Sequence, residues 1–498
     1  MSNVSFYNEG AYIRMVNSAT GVDVRINKAS LMIQKDSDAS FFLKNDSYVS
    51  YFNYNQIALP ASSNLTDLVN TIATWNTSFS SNMTVSVSDT MTTTFSSAML
   101  DPLSRLKVTA TPNTTLSIHT LYDKNPTKID EITASNASST HNAFKGIVNM
   151  TIAQVPTSSI IRQSKLYTPH VYGSASVAVV NGTLTTNSNN SNVVSKIGVF
   201  DDSDNVTMSN AQPTGNGVFF KYDNSNGLNL VYRTNASGTE VDTTMSQSNW
   251  NLDKLNGTGS SGYTLNVTAP QNFVFEWNVV NQAQPARAGV YSRDGIVYCH
   301  AFSNVPFFGN PCLPVRWEIG HSAALGAVPD IATMTQGSAT VYADESSHAP
   351  QRLYSFNKGS NFTLMTSNFT TPLMSIRLAP SFNRAKVHPK QLEIINTAAG
   401  GTGLWSMVLN GTLTGAAFSN VSSDSFVQYS TSETACTGGI IVASGYIYDA
   451  GVKQIDLDVR DISMVSTIAG TQDTLTVLVT NMLGTLNVTA GIEWIEQE

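Results

Sequence analysis

Charge is what this 498-residue sequence has least of. Asp, Glu, Lys and Arg make up 12% of it, about half the usual share. The net charge is -8, and no dense Lys/Arg run occurs anywhere. A nucleic-acid binder needs a basic footprint to neutralise phosphates, so that class is excluded. Cysteine is scarce as well. Cys299, Cys312 and Cys436 form no C-x-x-C pair, and three is an odd number for a disulfide framework. Reduced structural thiols are expected, with a Cys299–Cys312 bridge as the one alternative. No apolar run approaches the roughly 18 residues of a membrane span. The opening "MSNVSFYNEGAYIRMVN" has neither the basic nor the apolar region of a signal peptide. G-x-S-x-G, H-E-x-x-H and Walker A motifs are all missing.

Ser, Thr and Asn fill the space that charge leaves, beside 41% hydrophobic residues spread along the chain. Such a composition folds. Its polar, uncharged surface suits exposed β-structure and crowded assembly. Sequons such as those at Asn3, Asn64, Asn82, Asn149 and Asn266 follow from the abundance of these residues.

Strand signals dominate, separated by Asn, Gly, Ser and Asp clusters. "SYVSYFNYN" (47–55) alternates. "NLTDLVNTIATW" (64–75) places Leu65, Leu68, Val69 and Ile72 on one helical face, with Asn64 as N-cap. Residues 80–100 read as a linker or an irregular strand. In "NFVFEWNVV" (272–280), Phe273, Phe275, Trp277 and Val279 share one face, as in a sandwich strand. "ARAGVYSRDGIVYCHAF" (286–302) predicts a hairpin turning at Asp294-Gly295. "LPVRWEIG" (313–320) adds a strand with Val315, Trp317 and Ile319 alternating. From residue 350 on, strands are expected at 372–380, 403–415, 438–448, 454–462 and 474–482. The expected fold is mostly β and multidomain: a small mixed α/β N-terminal domain (1–85), a central antiparallel β-sandwich (100–345) and a C-terminal β-sandwich or jelly roll (350–498).

Several short stretches invite a chemical reading. "GTGSSG" (257–262) has the spacing of a dinucleotide loop. That loop must open a helix, whereas "YTLNVTAPQNFVFEW" follows with Pro270 and a period of two. A turn between strands is expected instead. Asp201, Asp202 and Asp204 cluster in "FDDSDN". Clustered carboxylates can hold Ca²⁺, but the Glu that completes an EF-hand loop is absent, and an acidic turn capping a strand is preferred. His119, His141, His170, His300, His321, His348 and His388 make no H-x-H or H-x-x-x-H pair. Cys299 and His300 are adjacent in a strand and point to opposite faces. Glu276 and Glu318 stand within aromatic strands. Two facing carboxylates could hydrolyse a glycosidic bond, but strand carboxylates paired with Arg287 or Arg316 are the preferred account. Trp250, Trp277, Trp317 and Trp405 could stack on sugars. Alternation assigns Trp277 and Trp317 to the core.

The longer stretch around the glycine loop, "VYRTNASGTEVDTTMSQSNWNLDKLNGTGSSGYTLNVTAPQNFVFEW" (231–277), resembles virion structural proteins of large algal DNA viruses and marine tailed phages. The matching positions are Trp250, Asn251, Asp253, Lys254, Gly257, Gly259, Ser261, Gly262, Glu276, Trp277, Tyr298, His300 and Phe302. Residues 101–126, 198–205, 217–223 and 310–319, and "IALPASSNLTDLVNTIATW", look like the same family. Ser260 and Asn256 depart from its Pro and Asp, and "NVVNQAQPA" departs from its L-G-x-G step. The resemblance implies a particle component located in the virion, with other virion proteins as partners. It implies no catalytic, cofactor-binding or metal-binding residue, and no cofactor. The expected function is therefore assembly and surface display, as a capsid, vertex or fibre component. Homo-oligomerisation is expected, a trimer being one form of it. The alternative is host attachment through a surface glycan or receptor. A carbohydrate-active enzyme built on Glu276 and Glu318 is the third reading.

Overall fold

The computed structural model describes six strands between Val4 and Ala58 and the chain from Asn113 to Gln497. Residues 171–174, 186–191, 203–214, 224, 280–284, 294, 322–330, 344–350, 366–368, 383 and 458–461 are excepted. The expected strand at 47–55, helix at 64–75 and linker at 80–100 lie outside the described residues. Two compact units divide the chain, Met1–Ser96 and Ser97–Glu498. In the first, Val4–Glu9, Tyr12–Asn17 and Val22–Asn27 form one antiparallel sheet, and Met32–Lys35, Ser40–Lys44 and Ile57–Ala58 another.

The second unit is almost entirely antiparallel sheet. An eight-stranded sheet runs, in spatial order, Gly295–Phe302, Ala286–Ser292, Gln271–Trp277, Ser176–Thr183, Ala332–Ala343, Ile147–Ile152 and Ser138–Asn142, with Asn113–Ile118 also on Ala332–Ala343. A seven-stranded sheet runs Val241–Ser246, Gly227–Thr234, Gly217–Asp223, Val193–Phe200, Val315–His321, Ser159–Ser164 and Ile129–Ala134. Alternation dictates which side chains meet between them. Phe273, Phe275 and Trp277 from the first sheet join Phe220, Tyr232 and Trp317 from the second in one fully buried core. The ring centroids of Phe220 and Phe273 are 5.1 Å apart. Trp317 donates its indole N–H to Asn181 O at 3.0 Å, so its polar edge is satisfied inside the core.

A second sandwich follows. Its five-stranded sheet runs Gln351–Asn357, Leu486–Gln497, Lys386–Asn396 and Gly451–Asp456, with Thr363–Met365 also on Leu486–Gln497. Its six-stranded sheet runs Ser419–Asn420, Val427–Ser430, Thr370–Leu378, Thr474–Leu483, Thr402–Leu409 and Ile440–Tyr448. Trp494, Trp405, Met374, Met407 and Val387 fill the space between them. Buried Glu496 accepts from the Trp494 indole at 2.8 Å, the Phe426 amide at 2.8 Å and the Ser425 hydroxyl at 2.5 Å. Two strand prolines, Pro372 and Pro389, each coincide with a break in register. Proline has no N–H for the ladder, and a bulge accommodates it.

The two sandwiches touch through polar contacts. Arg384 of the second donates to Asp201 of the first at 2.6 Å, with its guanidinium 4.8 Å from the Tyr167 ring. The Ile468 amide donates to Asp130 at 2.7 Å.

Candidate functional site

The glycine-rich stretch is a turn between strands. Before it come Val241–Ser246 and a single 3-10 turn, Gln247–Asn249, and the next strand after it is Gln271–Trp277. The loop wraps the Asp253 carboxylate, which accepts from the amides of Leu255 at 2.8 Å and Ser261 at 2.9 Å. Burial works against ionised Asp253, but those amides outweigh it and hold the carboxyl below its ordinary range. A Cβ on Gly259 would lie 2.2 Å from that carboxylate, so only glycine closes the loop here. Among the described residues no helix N-terminus faces the loop, and the phosphate chemistry lapses.

The same segment covers a sheet edge. The amides of Leu252 and Asp253 donate to Cys299 O at 3.0 and 3.1 Å. Asn251 acts as a side-chain strand, its amide group donating to Ala301 O and accepting from Ala301 N, each at 2.9 Å. The Asn251 N–H donates to His300 Nδ1 at 3.2 Å. His300 is therefore neutral with its proton on Nε2, and burial pushes its pKa down to about 4. Cys299 points into the core, its thiol pushed well up by burial. As alternation requires, the two are not neighbours around a ligand.

Glu276 and Glu318 are not brought together. Their flanking residues Phe275, Trp277, Trp317 and Ile319 enter the shared core, so the carboxylates project from different sheets on opposite outer faces. Glu276 is fully buried. It accepts from Arg287 at 2.9 and 3.1 Å and from the Tyr298 hydroxyl at 2.6 Å, with the guanidinium 4.1 Å from the Tyr298 ring. Glu318 accepts from Arg316 Nε at 2.9 Å and Lys196 at 2.7 Å. Burial raises its pKa, but the two cations outweigh it and hold the carboxyl far below the ordinary range. These are the Arg287 and Arg316 pairings expected from the sequence, and they exclude Glu276 and Glu318 as a dyad across one cleft.

The acidic turn belongs to the same outer-face network. Asp201 accepts from the amides of Gly215 and Asn216 at 2.9 and 2.8 Å, besides Arg384. Asp202 sits 3.1 Å from Arg233, which also binds Asp242. Phe200, Phe219 and Val231 form a small apolar cluster on this face, with Arg316 over the Phe200 ring and Arg233 over that of Phe219. Asp204 lies outside the described residues. Among the described residues, no three His, Cys, Asp or Glu side chains gather as a metal-ligand set.

Trp250, Trp277, Trp317 and Trp405 are all buried, which corrects their candidacy for sugar stacking. Trp277 and Trp317 are in the core as alternation indicates. Trp250 packs edge-on to Phe220 and donates to Met245 O at 3.1 Å, contacts that its turn-rich sequence hid. The three thiols are free, so the Cys299–Cys312 alternative is also corrected.

An open concavity lies elsewhere, on the outer face of the five-stranded sheet. A hollow of about 530 Å³ is lined there by Gln351 and Leu353, Glu493 and Ile495, Lys390 and Gln391, and Asp456. Its construction begins with Pro389. The ladder pairs Pro389 with Trp494 and Gln391 with Glu493, leaving Lys390 as the extra residue of the bulge. Strand register then sets Glu493, Gln391 and Asp456 in a row across three strands and Leu353 opposite Ile495. Leu353 is 61% exposed. Acceptors, amides, one ammonium and an apolar pair thus share one sheet face. Sequence inspection passed over these residues because each is ordinary in its own strand. Pro389 within an alternating run was the available signal.

No protein-family model and no curated protein sequence matches the chain. Among solved structures, the potassium-bound carbohydrate recognition domain of Emp46p is similar at 10% identity and a TM-score of 0.29, over 47% of this chain and 98% of that one. A legume lectin-like domain from Entamoeba histolytica is similar at 9% identity and a TM-score of 0.28, over 47% and 99%. An endo-beta-1,4-glucuronan lyase from the fungus Trichoderma reesei gives 11% and 0.28, over 43% and 94%. Likeness at this level carries no functional information.

Proposed function

We propose that the chain is a glycan-binding display protein of a virus particle, and that the hollow on the C-terminal sandwich is its carbohydrate site. The observation that supports this is the row Glu493–Gln391–Asp456 beside Lys390 and the Leu353–Ile495 pair. Sugar hydroxyls donate to carboxylates and exchange hydrogen bonds with amides, while the C–H face of the ring needs apolar contact. The hollow offers all three on a rigid sheet. Its open form suits one or two units of a neutral chain lying across the strands.

The test is a glycan array probed with the full chain and with the double variant Gln391→Ala/Glu493→Ala. Binding by the parent and its loss in the variant, with unchanged thermal unfolding, is the expected outcome. Silence of the parent across the array would remove the reading.

The particle role is supported by the resemblance of residues 231–277 and by the low charge of the whole chain. Immunogold labelling of purified particles tests it. Label on the shell or fibres is expected, and unlabelled particles would contradict it.

A further inference from the structure

The hollow is one part of a longer polar face. Leu392 and Ile394 enter the core, so Gln391, Glu393 and Ile395 turn to the outer side of the five-stranded sheet. Strand register carries that side onto the neighbouring strands. The row Glu493–Gln391–Asp456 is followed, two residues along, by Asn357–Gly491–Glu393–Gln454, and two further along by Ile395 beside Val452. Asn357, Glu393 and Gln454 are exposed. Among the described residues, no hydrogen bond or ion pair engages their side chains. Gly491 bares the backbone between Asn357 and Glu393. Asn357 leans over it, since a Cβ on Gly491 would lie 3.1 Å from the Asn357 Cβ. One row on, the Thr489 hydroxyl donates to Gly359 O at 3.1 Å, so the chain after Gln351–Asn357 covers the face on that side. The Ile395–Val452 side stays open, with Val452 57% exposed.

We propose that this face extends the glycan site, so that the protein grips an internal stretch of a neutral polysaccharide running diagonally from the Leu353–Ile495 pair to the Ile395–Val452 pair. The proposal rests on the carbohydrate reading of the hollow. Along the strands the order is apolar pair, polar row, polar row, apolar pair. A sugar chain needs that sequence, because its rings offer C–H faces and its edges offer hydroxyls. The chemistry of the hollow repeats in the second row, where Glu393 stands beside Gln454 as Glu493 stands beside Gln391. Each pair supplies acceptors and an amide donor. Six residues separate Ile495 from Thr489, so the two apolar pairs lie about 20 Å apart along the strands. One or two sugar units cannot span that length. Leu353 and Val452 belong to the two edge strands of the sheet, so the track runs from edge to edge and selects no chain terminus. Glu493, Asp456 and Glu393 outnumber Lys390 on this face, and the chain carries a net charge of -8. An anionic polymer is repelled there.

Titration calorimetry of the full chain tests this, with the neutral glycan that the array selects supplied as a size series from disaccharide to hexasaccharide. The parent is expected to bind the hexasaccharide about tenfold more tightly than the disaccharide. Glu393→Ala/Gln454→Ala changes two exposed side chains and should leave thermal unfolding unchanged. It is expected to bind the disaccharide as the parent does and to lose the gain with length. Val452→Ser, at the far end of the track, should lower affinity for the hexasaccharide alone. In Gln391→Ala/Glu493→Ala both sizes lose binding, which places the short ligand in the hollow. A parent that binds both sizes equally would overturn the extension and leave the hollow's reading intact. So would a gain with length that survives in Glu393→Ala/Gln454→Ala. A parent silent on every array glycan would remove the carbohydrate reading itself, and the extension with it.

Discussion

The two sandwiches share an architecture and differ in how their outer faces are furnished. In the central one, buried carboxylates on the outer sheet faces meet guanidinium groups, as Glu276 meets Arg287 and Asp201 meets Arg384. Its edge strand Gly295–Phe302 is covered by Asn251. In the C-terminal one, the outer face of the five-stranded sheet lines an open hollow with Glu493, Gln391, Asp456 and Lys390. A β-sandwich needs only its inner faces to fold. What it does with the outer ones separates a scaffold from a surface that meets other molecules.

The sharpest way to break this contrast is to remove a cation from each half. Arg287→Met leaves Glu276 buried with only the Tyr298 hydroxyl of the contacts described above. The expected cost is about 3–5 kcal/mol of stability, read by denaturant unfolding followed through tryptophan fluorescence. A cost below 1 kcal/mol would mean that the outer face is not sealed.

Acid provides the next test. Burial pushes the pKa of His170 and of His300 down to about 4. The unfolded chain takes up these protons near pH 6.5, and the folded chain only near pH 4. Stability is thus lost as pH falls from 6.5 to 4, on the order of 3 kcal/mol for each group. Both residues belong to the central half, and protonated His300 no longer accepts the Asn251 N–H. Glu318 acts in a lower window. Its depressed carboxyl contributes stability above about pH 4.3, the unfolded value, and that contribution declines as pH falls further. Far-UV circular dichroism with pH-dependent melting is expected to show the decline beginning near 6.5, and Ser or Gln at position 300 should flatten it.

Smaller effects concern the edges and the hollow. Asn251→Ala deletes its two side-chain hydrogen bonds to Ala301, while the Leu252 and Asp253 amides stay on Cys299 O, for a loss of about 1–3 kcal/mol read by denaturant unfolding. Lys390→Ala is expected to change stability by less than about 0.5 kcal/mol yet weaken glycan binding about tenfold, or 1.4 kcal/mol. Titration calorimetry and a melting curve on the same sample separate the two effects.

Much of the fold is legible in the sequence because a strand with one buried face must alternate. Phe273, Phe275 and Trp277, and Val315, Trp317 and Ile319, are in the core as their period indicates. Ala286–Ser292 pairs with Gly295–Phe302 as the expected hairpin. The glycine loop reads correctly as a turn because Pro270 and a period of two follow it. What escapes inspection depends on strands meeting across long separations. Asp201 finds Arg384 183 positions away, and Trp250 finds its place against Phe220 only once the second sheet is folded. The hollow needs strand segments from 351 to 495 in register, plus a bulge that moves Lys390 by one position. Alternation states which face a residue takes but not whether that face is covered, so an open face and a sealed one look alike in sequence.

Hydrogen exchange of the full chain, with and without an excess of a glycan selected by the array, tests that difference most directly. Peptides covering Gly295–Phe302 should be protected equally in both, since their cover is part of the same chain. Peptides covering Lys390–Gln391 and Glu493–Ile495 should gain protection when glycan is present. Unchanged protection of the hollow's strands with saturating glycan would contradict the account.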